Sequence, residues 1–250
     1  MQDHSFVKFP KIPHLSSCMD ILDHSVEVYE KIDGGNSQIC CRYFRVLAGN
    51  RSHVINPKRD LAFWFKDFNT WAQKNFSLYS LPERFVLFGE WVDKKSNINY
   101  PYRENVQGKF FVLDAYDSDT DTTLDYDATR RLLGDCGVTG VDFLPLLFRG
   151  KTNYGSLAKR CMSSGYRDGP AEGVVIKDYS SQRFAKLWTK HVLGKTLCEE
   201  DVSRSARVLL ERGETISSRS LITELSSDWS QADLQNAKPL VKKVLNGLKH

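Results

Sequence analysis

The amino-acid sequence predicts an α+β fold: antiparallel sheets flanked by helices, followed by a small helical C-terminal module. Short segments of alternating apolar character follow one another closely, with few helical segments between them. Such spacing favours antiparallel pairing. After about Gly194 the pattern turns helical, so we expect one domain at residues 1–194 and a helical module at 195–250.

The composition is that of an ordinary folded protein. The chain has 250 residues, of which 41% are hydrophobic, so it can bury a substantial core. Its net charge of +4 permits nucleic-acid contact without demonstrating it. It has no apolar signal segment, no run of membrane-spanning length and six cysteines without a CxxC pair. We expect reduced thiols and an intracellular protein, cytoplasmic or nuclear, without membrane contact.

The first half of the chain consists mainly of strand patterns. Two prolines interrupt residues 1–25, and VEVYEKI then alternates like a strand. SQICCRYFRVL is interpreted as one further strand and GNRSHVI as a turn that leads to a third. Residues 60–76 predict a core-facing helix, since Leu61, Phe65, Phe68 and Trp71 fall at helical spacing. RFVLFGEWV and KFFVLDAYDSD predict two more strands.

The second half mixes both patterns. DATRRLLGDCG is typical of a helix that ends at a glycine, and VDFLPLLFRG of a short strand with a loop. A short helix, a Gly/Pro loop and the strand EGVVIKD follow, and QRFAKLWTKH predicts one more strand. From Lys195 the helical tail has nine Lys and Arg against eight Asp and Glu, so it is not a basic arm.

Charged residues inside four apolar strand segments are the strongest functional signal. The segments are EKIDG at 30–34, FGE at 88–90, EGVVIK at 172–177 and FAKLW at 184–188. Burying an unpaired charge is expensive, so these charges should converge on one another or on a ligand. Lysines and carboxylates that converge predict a site for a polyanion and a metal ion.

These segments resemble the motifs of the covalent nucleotidyltransferase superfamily of ATP-dependent ligases and mRNA capping enzymes. KIDG matches the nucleophile motif KxDG, FGE resembles the third motif, and EGVVIK is very close to the fourth. The strand ending in Asp114 resembles the motif between the third and fourth, and Lys186 falls where the fifth begins. Asn36, Arg51 and the segment FGEWV resemble the phage RNA ligase 2 type. The resemblance covers roughly residues 6–190 and implies a nucleotidyltransferase, ATP-grasp-like domain.

The resemblance also implies a reaction. Lys31 would attack the α-phosphorus of ATP and form a lysyl–AMP phosphoramidate. We expect Lys177 and Lys186 to lower the pKa of Lys31 and to neutralise phosphate charge. Asp33 and Glu172 are expected beside Mg²⁺ or Mn²⁺. The AMP would pass to a 5′-phosphate of nucleic acid, and a 3′-hydroxyl would displace it and seal the break.

The nucleotide contacts also follow from the resemblance. Glu90 would hold the ribose hydroxyls, and the main chain at Glu30 and Ile32 would meet the adenine edge. Asn36 and Arg51 match positions used in later steps and for substrate phosphates. The complete expected nucleotide-binding set is Glu30, Ile32, Asn36, Arg51, Glu90, Leu113, Glu172, Lys177 and Lys186.

Two positions depart from the family pattern. An aromatic residue usually stacks on adenine just before the acid, but this sequence has Leu113, with Phe111 on the same strand face. The fifth motif usually has a second basic residue where Trp188 stands, and Lys190 follows two positions later on the same predicted face. We expect weaker adenine binding or a substitute ring, and Lys190 or another group as the second cation.

Some of these residues also have ordinary interpretations. Lys31 taken alone fits a surface lysine in a Gly-Gly hairpin, and Glu90 a strand-edge charge. The ordered set of motifs favours the site over both. Turn or strand-end chemistry would also explain Asn36, Arg51 and Asp114. The loop at 57–59 is interpreted as a solvated turn, with contact to a phosphate backbone as the alternative.

By this resemblance the chain is an ATP-dependent RNA ligase, acting as a monomer on nicked duplex RNA or RNA ends. A DNA ligase or capping guanylyltransferase normally carries a downstream β-barrel, for which the tail is too short and too helical. The alternative from another class is a non-catalytic RNA-binding module with a decayed fold, supported only by Leu113 and Trp188. We hypothesise that the helical tail grips the substrate.

Overall fold

Two sheets with helices on their outer faces form the main body of the computed structural model. The structure describes residues 7–51, 53–56, 63–77, 79–93, 102–194, 199–211, 214–225, 229, 234 and 237–248. The strands are β1 (Val26–Lys31), β2 (Gly35–Arg42), β3 (Arg45–Asn50), β4 (Phe85–Val92), β5 (Lys109–Asp117), β6 (Thr122–Leu124), β7 (Asp142–Phe143), β8 (Leu146–Gly150), β9 (Gly173–Asp178) and β10 (Arg183–Trp188). The helices are α1 (Phe63–Asn75), α2 (Tyr126–Asp135), α3 (Tyr154–Cys161), α4 (Thr189–Val192), α5 (Glu199–Glu211), α6 (Ser218–Leu225) and α7 (Ala237–Gly247).

The first sheet has the order β10, β9, β1, β8, with every neighbouring pair antiparallel. Because side chains alternate along a strand, Val28, Val174 and Ile176 share one face. They pack there against Leu157 of α3. The opposite face, which carries Lys31, is turned towards the second sheet.

The second sheet has the order β3, β2, β4, β5, β6, and the short β7 pairs in parallel with β5. Its outer face packs against α1, where Phe68 and Trp71 contact Trp91 and Phe110 at ring-centroid distances of 5.4–5.6 Å. The predicted core-facing helix is therefore confirmed for these two residues. The predicted α+β class with flanked antiparallel sheets is also confirmed.

The chain crosses between the two sheets at two places. The first crossing leads from β1 to β2 through residues 32–34, and the second leads from β7 to β8 through residues 144–145. Ile32 and Leu144 belong to the same buried apolar cluster, so both crossings lie at one end of the sheets.

The prediction of a single strand through SQICCRYFRVL is wrong, because the chain folds back between β2 and β3. Tyr43 and Phe44 form the turn with φ angles of 52° and 57°. This conformation usually selects glycine or asparagine, so the sequence contains no turn signal there. Within GNRSHVI an isolated bridge joins Gly49 to Val54. The third strand predicted after this turn falls mainly on residues 57–62, which lie outside the described part of the chain.

The helical character of the tail is confirmed. Helices α5, α6 and α7 bury a cluster of their own, which includes Val202, Leu221, Trp229 and Val241. The boundary at 194 stays a prediction, since residues 195–198 lie outside the described part. None of the five described cysteines forms a disulfide bond. None of the described helices has the length and apolarity needed to cross a bilayer.

A buried ion pair fastens the two sheets to each other. Lys177 of β9 donates to Oδ1 of Asp114 on β5 at 2.7 Å and to the carbonyl oxygen of Leu113 at 2.9 Å. The Tyr179 hydroxyl donates to the same Oδ1 at 2.8 Å. The Lys177 and Asp114 side chains are 3% and 1% exposed. Asp114 therefore does more than end its strand.

Replacing Lys177 by methionine should lower the free energy of unfolding by about 3–5 kcal/mol, because Asp114 would keep a buried, uncompensated charge. Urea unfolding measures this loss. The matched control is Lys109→Met, which removes a half-exposed pair with Asp142 and should cost at most about 1 kcal/mol. Adding Asp114→Leu to Lys177→Met should recover part of the loss. Equal losses in the two lysine variants would contradict the assignment.

Candidate active site

The KIDG segment is a crossing between sheets. β1 pairs with β8 and β9, whereas β2 pairs with β3 and β4. Lys31 therefore does not lie in a Gly-Gly hairpin. The crossing is tight, because a Cβ on Gly34 would lie 2.6 Å from the carbonyl oxygen of Trp91. Only glycine fits this approach without a backbone shift.

Lys31 lies at one end of the cleft, the space between Lys31 and Val175 on the first sheet and Glu90 and Leu113 on the second. Its ammonium group donates to Oε2 of Glu172 at 2.7 Å. The Lys31 side chain is 21% exposed and that of Glu172 is 6% exposed. The amine is thus held in place yet remains reachable from solvent.

Carboxylates crowd around Lys31. Burial raises the pKa of Glu172 to about 8, with Lys31 opposing the shift and the charge of Asp33 adding to it. Burial likewise raises the pKa of Glu90 to about 7, against the opposing charges of Lys31 and Arg51. Neither Glu90 nor Glu172 is therefore a simple strand-edge charge.

The prediction that Lys177 and Lys186 lower the pKa of Lys31 is wrong. Burial alone would lower the pKa of Lys31, but Glu172, Glu90 and Asp33 together raise it above its ordinary value. Lys177 lies opposite Glu27 in the β1–β9 register, four residues from Lys31. At roughly 3.3 Å per residue this is about 13 Å, and the ammonium of Lys177 is occupied by Asp114.

Asp33 and Glu172 have the donor chemistry that suits a hard divalent cation. Burial is the main cause of the raised pKa values of Glu172 and Glu90, and the charge of Asp33 adds to both shifts, so a cation beside these groups would favour their ionised forms. In the described ranges, no three His, Cys, Asp or Glu side chains come together as a metal site. In proteins, Mg²⁺ is usually held by one or two carboxylates together with water and substrate phosphates.

Tyr102 is a site residue that the sequence reasoning missed. The backbone N–H of Asp33 donates to the Tyr102 hydroxyl at 2.6 Å, and the Tyr102 side chain is buried. The pKa of Tyr102 is raised by burial and by the neighbouring charge of Glu172. Tyr102 is 69 positions from Asp33 and belongs to no strand or helix pattern, so no spacing rule could have found it.

Glu30 and Ile32 lie on either side of Lys31, both buried. The Glu30 carboxylate accepts from the backbone N–H of Gly165 at 2.8 Å and from the Ser164 hydroxyl. It thereby fixes the loop after α3, a role that the sequence did not suggest. Ile32 joins the apolar cluster that contains Phe111. Main-chain contact between these two residues and adenine stays a prediction.

Leu113 lies inside the cleft, as its predicted place beside adenine requires. Together with Tyr29, Leu144 and Val175 it lines a small cavity of about 30 Å³, room for no more than a few waters. Adenine would have to widen this cavity. Phe111 is already packed edge-to-face against Tyr166, with ring centroids 5.2 Å apart.

Asn36 and Arg51 both lie near Glu90. Asn36 is opposite Glu90 in the β2–β4 register, and its Oδ1 is buried without a hydrogen-bond partner among the described residues. Arg51 is close enough to lower the pKa of Glu90. Their predicted functional roles stay predictions. The loop at 57–59, considered as a phosphate contact, lies outside the described residues.

Lys186 and Trp188 lie on the cleft face of β10, but Lys190 does not. The predicted strand QRFAKLWTKH ends at Trp188, where the chain turns into α4. The placement of Lys190 on the same strand face is therefore wrong. Its Nζ lies 3.9 Å from the ring centroid of Trp229 and 4.0 Å from Oδ1 of Asp201, both in the tail.

Two facing sheets, with Lys31 where the chain crosses between them, form a nucleotidyltransferase fold, as the sequence predicted. The sequence profile of the RNA ligase family matches residues 24–192, more than half of the chain. The chain belongs to the RNA ligase family. No curated protein matches the sequence significantly.

Structures of Naegleria gruberi RNA ligase share this fold. The structure with pyrophosphate has a TM-score of 0.54 at 18% identity and covers 76% of this chain and 58% of that one. A variant with ATP and manganese has a TM-score of 0.55 at 18% identity, with the same coverage. A variant with AMP and manganese has a TM-score of 0.54 at 16% identity, covering 77% and 58%. This chain therefore spans 58% of the length of those ligase structures.

Replacing Gly173 by alanine should destabilise the protein by about 1–3 kcal/mol, because the added Cβ would overlap the carbonyl oxygen of Leu187 across the β9–β10 pair. Thermal unfolding measures the loss. The matched control is Gly134→Ala on α2, where nothing lies within 4 Å. Alanine there should be neutral or stabilise by up to about 1 kcal/mol. Similar effects at both positions would contradict the close approach.

In metal-free buffer, Glu172→Gln should gain stability relative to the wild type as the pH rises from about 5 to about 8.5. The pKa of Glu172 is raised to about 8 in the folded protein, above its ordinary value of 4.5. The contribution of Glu172 to the free energy of unfolding is therefore complete below pH 4.5 and is lost as the pH rises through about 8. Urea unfolding at both pH values measures the change.

The control for this pH dependence is Glu104→Gln, because the Glu104 side chain is exposed. This variant should differ from the wild type by the same amount at both pH values. A Glu172→Gln difference that does not change with pH would refute the raised pKa.

Proposed function

We propose that this chain is an ATP-dependent RNA ligase that joins a 3′-hydroxyl to a 5′-phosphate through a lysyl–AMP intermediate. The observation that carries the proposal is the position of Lys31, a partly exposed amine bonded to Glu172 at the crossing between two sheets of an RNA ligase family chain.

In the first step, Nζ of Lys31 forms a bond to the α-phosphorus of ATP. The bond from that phosphorus to the bridging oxygen breaks, and pyrophosphate leaves with its electron pair. The ammonium group releases two protons to solvent, and the third stays on the phosphoramidate nitrogen. Glu172 fixes the amine at 2.7 Å before the reaction. Asp33 and Glu172 would hold a divalent cation, which supplies positive charge that stabilises the phosphates. Neutralising these carboxylates would also remove the charges that keep Lys31 protonated.

In the later steps, a 5′-phosphate oxygen of the nucleic acid displaces Lys31 from the AMP phosphorus. A 3′-hydroxyl then attacks the 5′-phosphate, and AMP leaves with its electron pair. Lys186 would neutralise phosphate charge from β10, while Glu90 would receive the ribose hydroxyls. Asn36 and Arg51, both close to Glu90, are proposed for substrate phosphates.

We propose nicked duplex RNA or RNA ends as the substrate and a monomer as the active form. The family supports RNA, and the tail consists of helices in its described part. The role of the tail as a grip on the substrate stays a prediction. An intact set of Lys31, Glu90 and Glu172 argues against a decayed, non-catalytic fold.

Incubation with α-labelled ATP and Mg²⁺ or Mn²⁺ should attach an acid-labile label to the wild-type protein. Lys31→Ala should abolish the label, because it removes the nucleophile. The matched control is Lys159→Ala, a lysine on α3 outside the site, which should label normally. Labelled GTP should leave the protein unlabelled, which separates a ligase from a capping enzyme. A wild-type protein that stays unlabelled with both Mg²⁺ and Mn²⁺ would refute the proposal and favour the non-catalytic RNA-binding module.

A further inference from the structure

We propose that Trp188 is a positioning residue for Lys31, and that the C-terminal helices act on Lys31 through it. The inference rests on the proposed function, because it assumes that Lys31 is the nucleophile.

The register of the first sheet brings Trp188 to Lys31. Lys31 of β1 lies opposite Gly173 of β9, and Gly173 lies opposite Trp188 of β10. The three residues thus form one row across three strands, on the face turned towards the cleft. The residue between Lys31 and Trp188 in this row is a glycine, so no side chain separates the two.

The contact is a cation–π interaction. Nζ of Lys31 lies 4.5 Å from the ring centroid of Trp188, within the range in which an ammonium is attracted to an aromatic face. The Trp188 side chain is 8% exposed, so solvent screens the contact weakly. Lys31 is therefore held between two partners, the Glu172 carboxylate and the indole ring.

This arrangement gives a physical reason for the departure from the family motif. A basic residue at position 188 would repel the ammonium of Lys31 across Gly173, whereas a ring attracts it. Positive charge is still supplied around the ring, because Nζ of Lys186 and Nζ of Lys190 each lie 5.1 Å from its centroid. Three ammonium groups that repel one another therefore all lie within cation–π distance of the same indole ring.

The tail reaches the same ring through α4. Lys190 contacts Trp188 with its ammonium and also lies 3.9 Å from the Trp229 centroid and 4.0 Å from Asp201. His191, next to Lys190, packs against Trp229 with centroids 5.2 Å apart. A continuous chain of contacts therefore runs from the core of the C-terminal helices to the proposed nucleophile.

The reaction itself provides a readout that a general loss of structure would not reproduce. The free amine of Lys31 is needed only in the first step. Sealing of RNA that already carries a 5′-AMP cap uses the same fold and cleft but not the amine. A residue that positions Lys31 should therefore affect lysyl–AMP formation and spare the sealing of capped RNA.

The first experiment compares Trp188→Leu with the conservative Trp188→Phe in single-turnover assays at saturating ATP. Trp188→Leu should slow lysyl–AMP formation about tenfold, because the amine of Lys31 loses one of the two contacts that orient it. Trp188→Phe keeps a ring face and should recover most of the rate. Both variants should seal pre-adenylylated RNA within about twofold of the wild type, with apparent ATP affinity changed by no more.

The second experiment tests the link to the tail with matched lysine variants. Lys190→Met removes the charge between the two indoles and should slow lysyl–AMP formation about threefold. Lys243→Met removes an exposed tail pair with Glu199 and should leave the rate unchanged. In a Trp188→Leu background, Lys190→Met should have no further effect, because both substitutions break one chain of contacts.

Failure of the inference can be told apart from failure of the proposed function. The positioning role is refuted, and the function stands, if the wild type forms lysyl–AMP and Trp188→Leu forms it equally fast. The same holds if Trp188→Leu slows lysyl–AMP formation and the sealing of pre-adenylylated RNA by the same factor. Additive effects of Trp188→Leu and Lys190→Met would refute the link to the tail. A wild type that forms no lysyl–AMP would overturn both.

Discussion

The buried pair between Lys177 and Asp114 is the interaction on which the rest of the architecture depends. The outer faces of the two sheets pack against helices, and among the apolar side chains between the sheets lie buried charged ones. Those side chains tolerate burial only when they are paired. By joining β9 to β5, the pair fixes the distance between the sheets and therefore the width of the cleft.

Charge balance explains why the site is built as it is. Three carboxylates surround one amine, and burial makes each negative charge costly, as the raised pKa values of Glu90 and Glu172 show. These carboxylates keep the amine of Lys31 protonated, and a protonated amine is not a nucleophile. Under the proposed function, a nucleotide with its metal ion would bring both signs of charge, so the arrangement that keeps the amine idle would also prepare it for that substrate.

Much of the fold and of the site could be predicted from the sequence, and the exceptions have physical causes. Charges inside apolar strands identified Lys31, Glu90 and Glu172, because burial leaves charges few ways to be satisfied. The turn at 43–44 was not predicted, because it contains no glycine and strand pairing imposes its conformation. Lys177 was predicted beside Lys31, but it pairs with Asp114. A motif gives only the order of residues along the chain, whereas the distance between them depends on the strand register. Tyr102 carries no local pattern at all.

The two crossings of the chain also have a mechanical consequence. Residues 32–34 and 144–145 tie the sheets together at the same end of the cleft, where Ile32 and Leu144 pack in one cluster. Two adjacent links of this kind define the axis of a hinge. Points near the axis of a hinge move least when it opens, and points far from it move most. The buried Lys177–Asp114 pair joins the sheets at the far end of the cleft. Opening the cleft there would require this pair to separate, while the amine of Lys31, beside the crossings, would move least.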